Sequence, residues 1–278
     1  MNATIDQLFI YPIKGCSGIT VERATLSVTG LEIDGIGDRE WVVVDGHGEF
    51  LSQRKLPAMA LIETRLTSTT LRLKAPGMLQ LEVPFASEGD VLNVTVWNDT
   101  VAAVTQGEVA DAWFSRYLGQ SCRLMRFDPE ARRLSNVRYT GATPAPYKFA
   151  DAFALLIAST ASLADLNARL GKRCIAPIGI ERFRPNIVLA GIEAFEEDYL
   201  ERVTIGTLEL RVVKPCVRCS VPNVDPATGE TSTEPGDTLA LYRDNARAGG
   251  VTFGVNAIVI NGDAELRRGD AAELTLAL

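Results

Sequence analysis

The sequence predicts a β-rich α+β fold, and three patterns support that prediction. Short segments with alternating apolar residues, separated by turn-forming residues, fill roughly the first 105 positions, as in hairpins that build a barrel or a sandwich. Two stretches, 107–118 and 160–171, repeat their apolar residues with helical spacing instead. Strand patterns return between positions 203 and 212 and again close to position 276. We therefore expect mostly strands with a few helices.

The first part of the chain is predicted to be a series of hairpins that ends in a helix. The predicted hairpins are 41–50 with a turn at Asp45-Gly46, 71–83 with a turn at Pro76-Gly77, and 94–101 with a turn at Asn98-Asp99. In the stretch 107–118, Val109, Trp113 and Tyr117 recur every four positions, which places them on one helix face. This helix is expected to close a first unit.

The second part begins after a stretch of turn-forming residues at 140–146. We predict a domain boundary upstream of it, which gives units at 1–124 and 125–278. Ser159 or Thr160 can cap a helix that Gly171 ends. The elements expected after it are a strand pair over 203–212 turning near Gly206-Thr207, a helix over 239–247, and strands over 257–260 and 273–276.

Composition and charge narrow the possible functions. The formal net charge of −7 argues against broad binding to the phosphate backbone of nucleic acids. No run approaches the roughly 18 apolar residues of a membrane span, and no secretion or transit pattern is present. We expect a cytoplasmic protein that binds neither nucleic acid nor membrane. Its five cysteines, an odd number, are expected to be reduced.

The most specific local motif is the segment KPCVRC at 214–219, followed by turn-forming residues at 223–229. Cys216 and Cys219 could be half of a zinc site, but no second Cys pair is present and His47 is the only histidine. They could be a redox dithiol, although such pairs typically open a helix and turn residues follow here. They could also be two ordinary buried cysteines. The spacing alone leaves these interpretations open.

Arg218 adds a chemical argument to the motif. A neighbouring cation lowers the pKa of a thiol and favours the thiolate, which is the form that binds metal. A soft thiolate such as that of Cys219 suits a soft or high-valent metal. The alternative for Arg218 is a solvated surface charge, and the sequence leaves both interpretations open.

Several segments resemble one known family in their order and spacing. These are YPIKGCSG (11–18), GDREW (37–41), QRKLP (53–57), SLADLN (162–167), RFRPN (182–186), FEED (195–198) and KPCVRC (214–219). Together they resemble the MOSC proteins, which include the mitochondrial amidoxime reducing component and its bacterial relatives. The resemblance extends over nearly the whole chain. It implies an N-terminal β-barrel domain packed on a MOSC β-barrel domain, with a cofactor between the two.

The resemblance also implies which residues form the site. The second cysteine of the motif, Cys219, would bind molybdenum held by a pyranopterin dithiolene, whereas Cys216 would not be a ligand. The residues that would bind the cofactor, by their position in the motifs, are Lys14, Arg39, Ser162, Arg184 and Asn186. Arginine and lysine suit the phosphate of the pterin. Lys14 and Arg39 could instead be surface charges, and Ser162 could serve only the first turn of its own helix.

The implied reaction is the removal of oxygen from N-hydroxylated compounds such as amidoximes, hydroxylamines and N-hydroxylated bases. In it the cofactor does the redox chemistry, and the protein positions and tunes the cofactor. Arg218 is our candidate for that tuning, beside Cys219. Some bacterial relatives carry a fused ferredoxin domain, but no such cysteine cluster occurs in this sequence. We therefore expect a separate electron donor of the ferredoxin, flavin reductase or cytochrome type.

Two other functions remain open at this level. The protein could carry the molybdenum cofactor without catalysis, or pass sulfur to it through Cys219. It could also be a structural zinc or iron–sulfur protein that uses Cys216 and Cys219. In addition, Pro222-Asn223 replaces a Thr-Thr pair that is frequent in relatives of the amidoxime reducing type, and Thr160 replaces an acidic residue. Contacts on the substrate side can therefore differ from theirs.

Overall fold

A computed structural model describes residues 1–86 and 88–277 of the chain. Within this part, the chain forms 20 strands, four α-helices and four 3-10 helices. The prediction of a β-rich α+β fold is confirmed. Within the described residues, no helix has the length and apolar character that crossing a membrane requires.

The strands of the first half are short and follow one another closely. They are β1 (Asn2–Ile10), β2 (Ile19–Val21), β3 (Arg23–Ser27), β4 (Gly30–Ile33), β5 (Ile36–Gly37), β6 (Trp41–Asp45), β7 (Glu63–Leu66), β8 (Thr70–Lys74), β9 (Leu81–Pro84), β10 (Val91–Val96), β11 (Asp99–Thr105) and β12 (Cys122–Phe127). The later strands include two long ones. They are β13 (Leu155–Ser159), β14 (Ile187–Ala190), β15 (Leu200–Ile205), β16 (Leu208–Val217), β17 (Asp244–Asn245), β18 (Gly250–Asn261), β19 (Ala264–Arg267) and β20 (Ala271–Leu276).

The helices are short and lie between the strands. The α-helices are α1 (Glu108–Leu118), α2 (Val137–Thr140), α3 (Thr160–Lys172) and α4 (Gly236–Ala240). The 3-10 helices are Pro57–Leu61, Ile180–Phe183, Glu196–Tyr199 and Val221–Asn223.

Seven strands form a closed barrel. Their order is β13, β14, β1, β20, β15, β16 and β18, and the barrel closes because β18 also pairs with β13. Closure leaves no unpaired strand edge in this ring. The strands contribute a large buried apolar cluster that includes Leu8, Ile157, Leu189, Leu210 and Val255. This barrel supplies a rigid frame for the residues at the ends of its strands.

The first strand belongs to the barrel of the second half. β1 pairs with β14, through Leu8 and Ile187 for example, and with β20, through Ala3 and Ala272. β3 likewise pairs with β19. The proposed division into 1–124 and 125–278 stays a prediction, and the sheet pairings interleave the two halves. These backbone hydrogen bonds fix the halves against each other.

The rest of the first half forms a half-barrel around a second core. Its sheets are β10-β11-β12-β6 and β7-β8-β9, so the predicted hairpins over 71–83 and 94–101 are confirmed. The turn of the second hairpin lies at Trp97-Asn98 and not at Asn98-Asp99, because Val96 pairs with Asp99. The predicted turn after β6 is confirmed by the bridge between Val44 and Phe50. Helix α1 packs Trp113 and Phe114 into this core beside Trp41. Of the predicted helix face, Trp113 and Tyr117 pack against this core, whereas Val109 is 74% exposed and Phe114 is buried in its place.

Two helix predictions had different outcomes. Helix α3 begins where we expected it, because the Ser159 side chain accepts a hydrogen bond from the Ser162 backbone N–H and caps the first turn. The helix predicted over 239–247 is wrong. α4 ends at Ala240, and Asp244–Asn245 pair with β18 instead. Leu241 is 75% exposed, so a longer helix would gain little apolar burial.

Candidate functional site

One cleft brings together six of the seven residues that the sequence predicted for the site. These six are Lys14, Arg39, Arg184, Asn186, Arg218 and Cys219. Each lies close to the start or the end of a strand, so the sheets fix its backbone position. Lys14 and Arg39 come from the first half of the chain, and the other four come from the second half. The cleft therefore lies where the two halves meet.

Lys14 is buried at the cleft and paired with Asp151. Its Nζ donates a hydrogen bond to the Phe149 carbonyl at 2.9 Å and forms an ion pair with the Asp151 carboxylate. Trp97 Nε1 donates to the same Asp151 oxygen at 2.9 Å. Burial lowers the pKa of Lys14, and the Asp151 charge opposes that effect. With 8% exposure, Lys14 is not a solvated surface charge.

Asp151 stands at the mouth of the cleft, where its side chain is 69% exposed. Packing around the carboxyl raises its pKa, but the Lys14 charge and the hydrogen bonds from Lys14 and Trp97 outweigh that effect. The pKa is therefore held below its usual range. Asp151 is an anion at neutral pH that is already matched by a buried cation.

Arg39 and Asn186 connect the two halves. Arg39 Nη1 contacts Asn186 Oδ1 at 3.3 Å, and Arg39 Nη2 donates to the Arg184 carbonyl at 3.1 Å. Arg39 also forms an ion pair with the buried Asp38 carboxylate. The Asn186 amide oxygen accepts a further hydrogen bond from the Leu156 backbone N–H at 3.1 Å. Asn186 therefore acts on the cleft chiefly by holding Arg39 in place.

Arg184 offers an unused donor to the cleft. Its Nη1 donates to the Cys16 carbonyl at 2.6 Å, and its Cζ lies 4.2 Å from the centroid of the Tyr11 ring. Within the described part of the chain, its buried Nη2 has no hydrogen-bond partner. Burial and the charge of Arg39 lower the pKa of Arg184 to about 10. Since an unpaired buried donor is costly, this nitrogen is a natural contact for an acceptor on a ligand.

The structure treats the two cysteines of the motif differently. Cys216 lies within β16, and Arg218 Nη1 donates a hydrogen bond to its Sγ at 3.0 Å. Arg218 Nη2 donates to the Phe183 carbonyl at 2.8 Å, while its buried Nε has no partner among the described residues. Cys219 lies in the loop after β16, and its exposed thiol also has no partner among the described residues. The Arg218 guanidinium is thus engaged with Cys216 and not with Cys219, and its role in tuning the cofactor stays a prediction.

Two of the open interpretations of the cysteine pair find no support. Among the described residues, no group of three or more His, Cys, Asp and Glu side chains could hold a metal, so a protein-only zinc site lacks its ligands. Cys216 is half-buried and Cys219 is exposed, so they are not ordinary buried cysteines. That description fits Cys16 and Cys122 instead, and Cys174 is exposed. All five thiols are free.

Ser162 is the predicted site residue that does not reach the cleft. It is fully buried in the first turn of α3, and its Oγ donates to Glu197 Oε2 at 2.8 Å. The same Oγ accepts hydrogen bonds from Ser159 Oγ at 2.8 Å and from the Phe195 backbone N–H at 2.7 Å. All of its hydrogen-bonding capacity is used inside the protein. We therefore leave Ser162 out of the proposed cofactor site.

The cleft also contains residues that sequence reasoning missed. Trp97 lay within the hairpin predicted over 94–101 but was not singled out, and neither was Asp151. Arg54 belongs to the segment 53–57 that carried the family resemblance, which was a usable signal. Among the described residues, the charged ones lining the cleft are five cations and one carboxylate, namely Lys14, Arg39, Arg54, Arg184, Arg218 and Asp151. The cleft is therefore locally cationic in a chain of net charge −7.

Two family models and several known proteins match this chain over both of the halves that form the cleft. The sequence model of the MOSC N-terminal beta barrel domain matches residues 2–121, and that of the MOSC domain matches residues 144–273. The mitochondrial amidoxime-reducing component 1 of Mus musculus is 37% identical over 246 residues, which cover 86% of this chain and 71% of that protein. The mitochondrial amidoxime reducing component 2 of Bos taurus is 34% identical over 246 residues, covering 86% and 72%. The molybdenum cofactor sulfurase of Danio rerio is 32% identical over 270 residues, covering 91% of this chain and 32% of that protein.

Proposed function

This chain belongs to the MOSC family, and on that premise we propose that its cleft holds a molybdenum cofactor with which it reduces N-hydroxylated compounds. The observation that carries the proposal is the exposed thiol of Cys219, free of protein partners among the described residues, in a cleft lined by five cations and one carboxylate. A thiolate is a suitable ligand for a soft or high-valent metal. The names of the mouse and bovine relatives support the reaction type.

The residues of the cleft fit a metal bound to an anionic pterin. Lys14, Arg39 and Arg184 supply positive charge for a phosphate, and the unpartnered Nη2 of Arg184 supplies a free donor. The unpartnered Nε of Arg218 is a second free donor beside the cysteine motif. Asp151 holds Lys14 in place through their ion pair. An acceptor-rich anion would satisfy buried donors that the protein leaves unpaired.

When bound, the cofactor supplies a two-electron reduction in which an N-hydroxylated substrate, two electrons and two protons give the reduced nitrogen compound and water. Cys219 would hold the metal through its sulfur. Arg218, engaged with Cys216 and with the Phe183 carbonyl, would fix the shape of the loop that presents Cys219. The protein's contribution is thus position and electrostatics.

The proposed substrates are small molecules, and the electrons would come from a separate protein of the ferredoxin, flavin reductase or cytochrome type. Neither nucleic acid nor membrane is a proposed partner. The cytoplasmic location predicted from the sequence stays a prediction.

A second function is favoured by a specific similarity. The molybdenum cofactor sulfurase of Danio rerio matches 91% of this chain, so sulfur transfer to the cofactor, or carriage of it, through the exposed Cys219 is the alternative. Both functions would use the same thiol. They differ in whether an N-hydroxylated compound is consumed.

Turnover of benzamidoxime by the cofactor-loaded protein, with reduced methyl viologen as electron donor, separates the two functions. The reductase proposal expects benzamidine to form in step with viologen oxidation, two viologen radicals for each amidine. Cys219→Ala should abolish the reaction and Cys216→Ala should retain it. A loaded protein that forms no benzamidine, but that transfers labelled sulfur from a persulfide on Cys219, would establish the alternative.

A further inference from the structure

At the mouth of the cleft, the guanidinium of Arg54 packs against the indole ring of Trp97. The Cζ of Arg54 lies 4.3 Å from the centroid of Trp97, and both residues line the cleft. Trp97 is 41% exposed, and its ring also contacts Phe50 with centroids 4.9 Å apart. Arg54 is exposed and has no carboxylate partner within the described residues. The attraction between guanidinium and indole therefore holds an unpaired charge at the surface.

The backbone beneath this pair is unusual. Trp97 occupies the two-residue turn between β10 and β11 with a φ of +60°. Left-handed backbone suits glycine or asparagine, and a bulky side chain there is strained. The Trp97 indole is tied down on the other side by its hydrogen bond to Asp151. The ring is thus a fixed support for Arg54 rather than a mobile surface side chain.

A second group of cations that lie against aromatic rings comes from the second half of the chain. Lys214 Nζ lies 4.6 Å from the centroid of Tyr139 and 5.7 Å from that of Phe153, which lines the cleft. The Cζ of Arg138 lies 5.8 Å from the same Tyr139 ring. Among the described residues, neither Lys214 nor Arg138 has a carboxylate partner. Lys214 precedes Cys216 by two positions, so this group is also close to the cysteine motif.

These two groups define what we call the cationic rim, which consists of Arg54, Trp97, Arg138, Tyr139 and Lys214. Within the part of the chain that the structure describes, Asp151 is the one carboxylate lining the cleft. It is already paired with Lys14 and does not neutralise the rim. Its aromatic and arginine residues are of the types enriched in protein interfaces. On a chain of net charge −7, unpaired cations around one cleft complement a surface of opposite sign.

We propose that the cationic rim is the docking surface for a small acidic electron-carrier protein. This rests on the proposed function, because a reduction in the cleft needs two electrons per substrate. In each docking event the carrier is oxidised by one electron and the cleft site is reduced by one, so two events supply one turnover. Carboxylates on the carrier pair with the cations of the rim, and the aromatic rings of the rim contribute apolar contact.

Binding of a purified acidic plant-type [2Fe–2S] ferredoxin to the cofactor-loaded protein tests this proposal by calorimetric titration. We expect the affinity to fall steeply as salt rises from about 50 to 200 mM. The variant Arg138→Glu with Lys214→Glu should bind the ferredoxin at least about tenfold more weakly. The milder Arg138→Gln with Lys214→Gln should give an intermediate loss. The matched control is Lys74→Glu, because Lys74 is an exposed cation on β8 that forms no ion pair with any described residue, and the affinity of this variant should be unchanged.

The activity measurements separate this proposal from the one it rests on. With reduced methyl viologen, which needs no docking surface, the double variant should reduce benzamidoxime at the wild-type rate, whereas its rate with ferredoxin should fall with its affinity. Wild-type protein that binds ferredoxin through the rim but reduces no benzamidoxime would support docking and contradict the reductase function. Equal ferredoxin affinity in wild type and double variant would overturn the docking proposal. A double variant that binds ferredoxin like the wild type, but whose KM rises for the anionic 4-carboxybenzamidoxime and not for benzamidoxime, would also overturn it. The rim would then serve an anionic substrate.

Discussion

Arg218 donates a hydrogen bond to the Sγ of Cys216 at 3.0 Å, and this contact distinguishes the two cysteines of one motif. Cys216 is held within β16 by a cation, whereas Cys219 presents an exposed thiol without a partner among the described residues. Two thiols three positions apart therefore have different surroundings. The exposure of Cys219 agrees with its proposed role as the metal ligand, and Cys216 is the proposed support of the loop.

The first prediction concerns these two residues. Cys219→Ala should lower molybdenum retention by more than about tenfold and abolish amidoxime reduction, since it removes the proposed protein ligand. Cys216→Ala should keep both properties and lose only about 1 kcal/mol of stability, because Arg218 loses one partner. Metal analysis and thermal unfolding of the two purified variants measure these effects. The reverse pattern would refute the assignment of the ligand.

The second prediction concerns Ser162, which we expect to stabilise the fold and not to bind the cofactor. Ser162→Ala should leave the cofactor content unchanged and lower the free energy of unfolding by about 1–3 kcal/mol, because the Phe195 backbone N–H and Glu197 lose a buried partner. Denaturant unfolding together with pterin quantification measures both quantities. A variant of normal stability that loses the cofactor would return Ser162 to the site.

The buried Glu197 predicts a pH dependence of stability. Burial raises its pKa above the ordinary value of 4.5, against the opposing hydrogen bonds from Ser162 and Ser159. The folded protein therefore holds this proton more tightly than the unfolded chain does. The resulting stabilisation is fully present below about pH 4.5 and is lost as the pH rises through the raised pKa.

Glu197→Gln cannot ionise, so its free energy of unfolding relative to wild type should rise as the pH increases from about 4.5 to neutral. Unfolding by denaturant at several pH values measures this difference. The matched control is Glu201→Gln, an exposed carboxyl on β15 outside the buried serine cluster. A difference between Glu197→Gln and wild type that stays constant with pH would contradict the argument.

The cysteines also predict a pattern of chemical labelling. Cys174 and Cys219 are exposed, whereas Cys16 and Cys122 are buried, and burial raises the pKa of Cys16 to about 12. Iodoacetamide should therefore label Cys174 and Cys219 in the cofactor-free protein and spare the two buried thiols. Loading the cofactor should slow labelling of Cys219 by more than about tenfold and leave Cys174 unaffected. Mass spectrometry of the labelled peptides tests this, and equal labelling of Cys219 in both forms would contradict a metal bound there.

Local patterns predicted most of the elements because local chemistry decides them. The cap at Ser159 depends on a residue three positions away, and the hairpin turn at Pro76-Gly77 depends on its own backbone. Five residues that the family motifs singled out also line one cleft, namely Lys14, Arg39, Arg184, Asn186 and Cys219. Their roles toward a cofactor stay predictions.

Features that depend on distant contacts could not be predicted in this way. β1 joins the barrel of the second half because Ala3 pairs with Ala272, and no local signal encodes that partner. Ser162 faces Glu197 instead of the cleft because the 3-10 helix Glu196–Tyr199 packs there. Arg218 contacts Cys216 and not the adjacent Cys219, because β16 continues as far as Val217. In each case tertiary packing set the direction of a side chain or the pairing of a strand.

The metal and pterin content of protein purified from a host that makes molybdenum cofactor tests the central claim most directly. The account predicts about one molybdenum and one pterin per chain, and the loss of both in Cys219→Ala. Zinc or iron without pterin, or a molybdenum content that Cys219→Ala leaves unchanged, would contradict it.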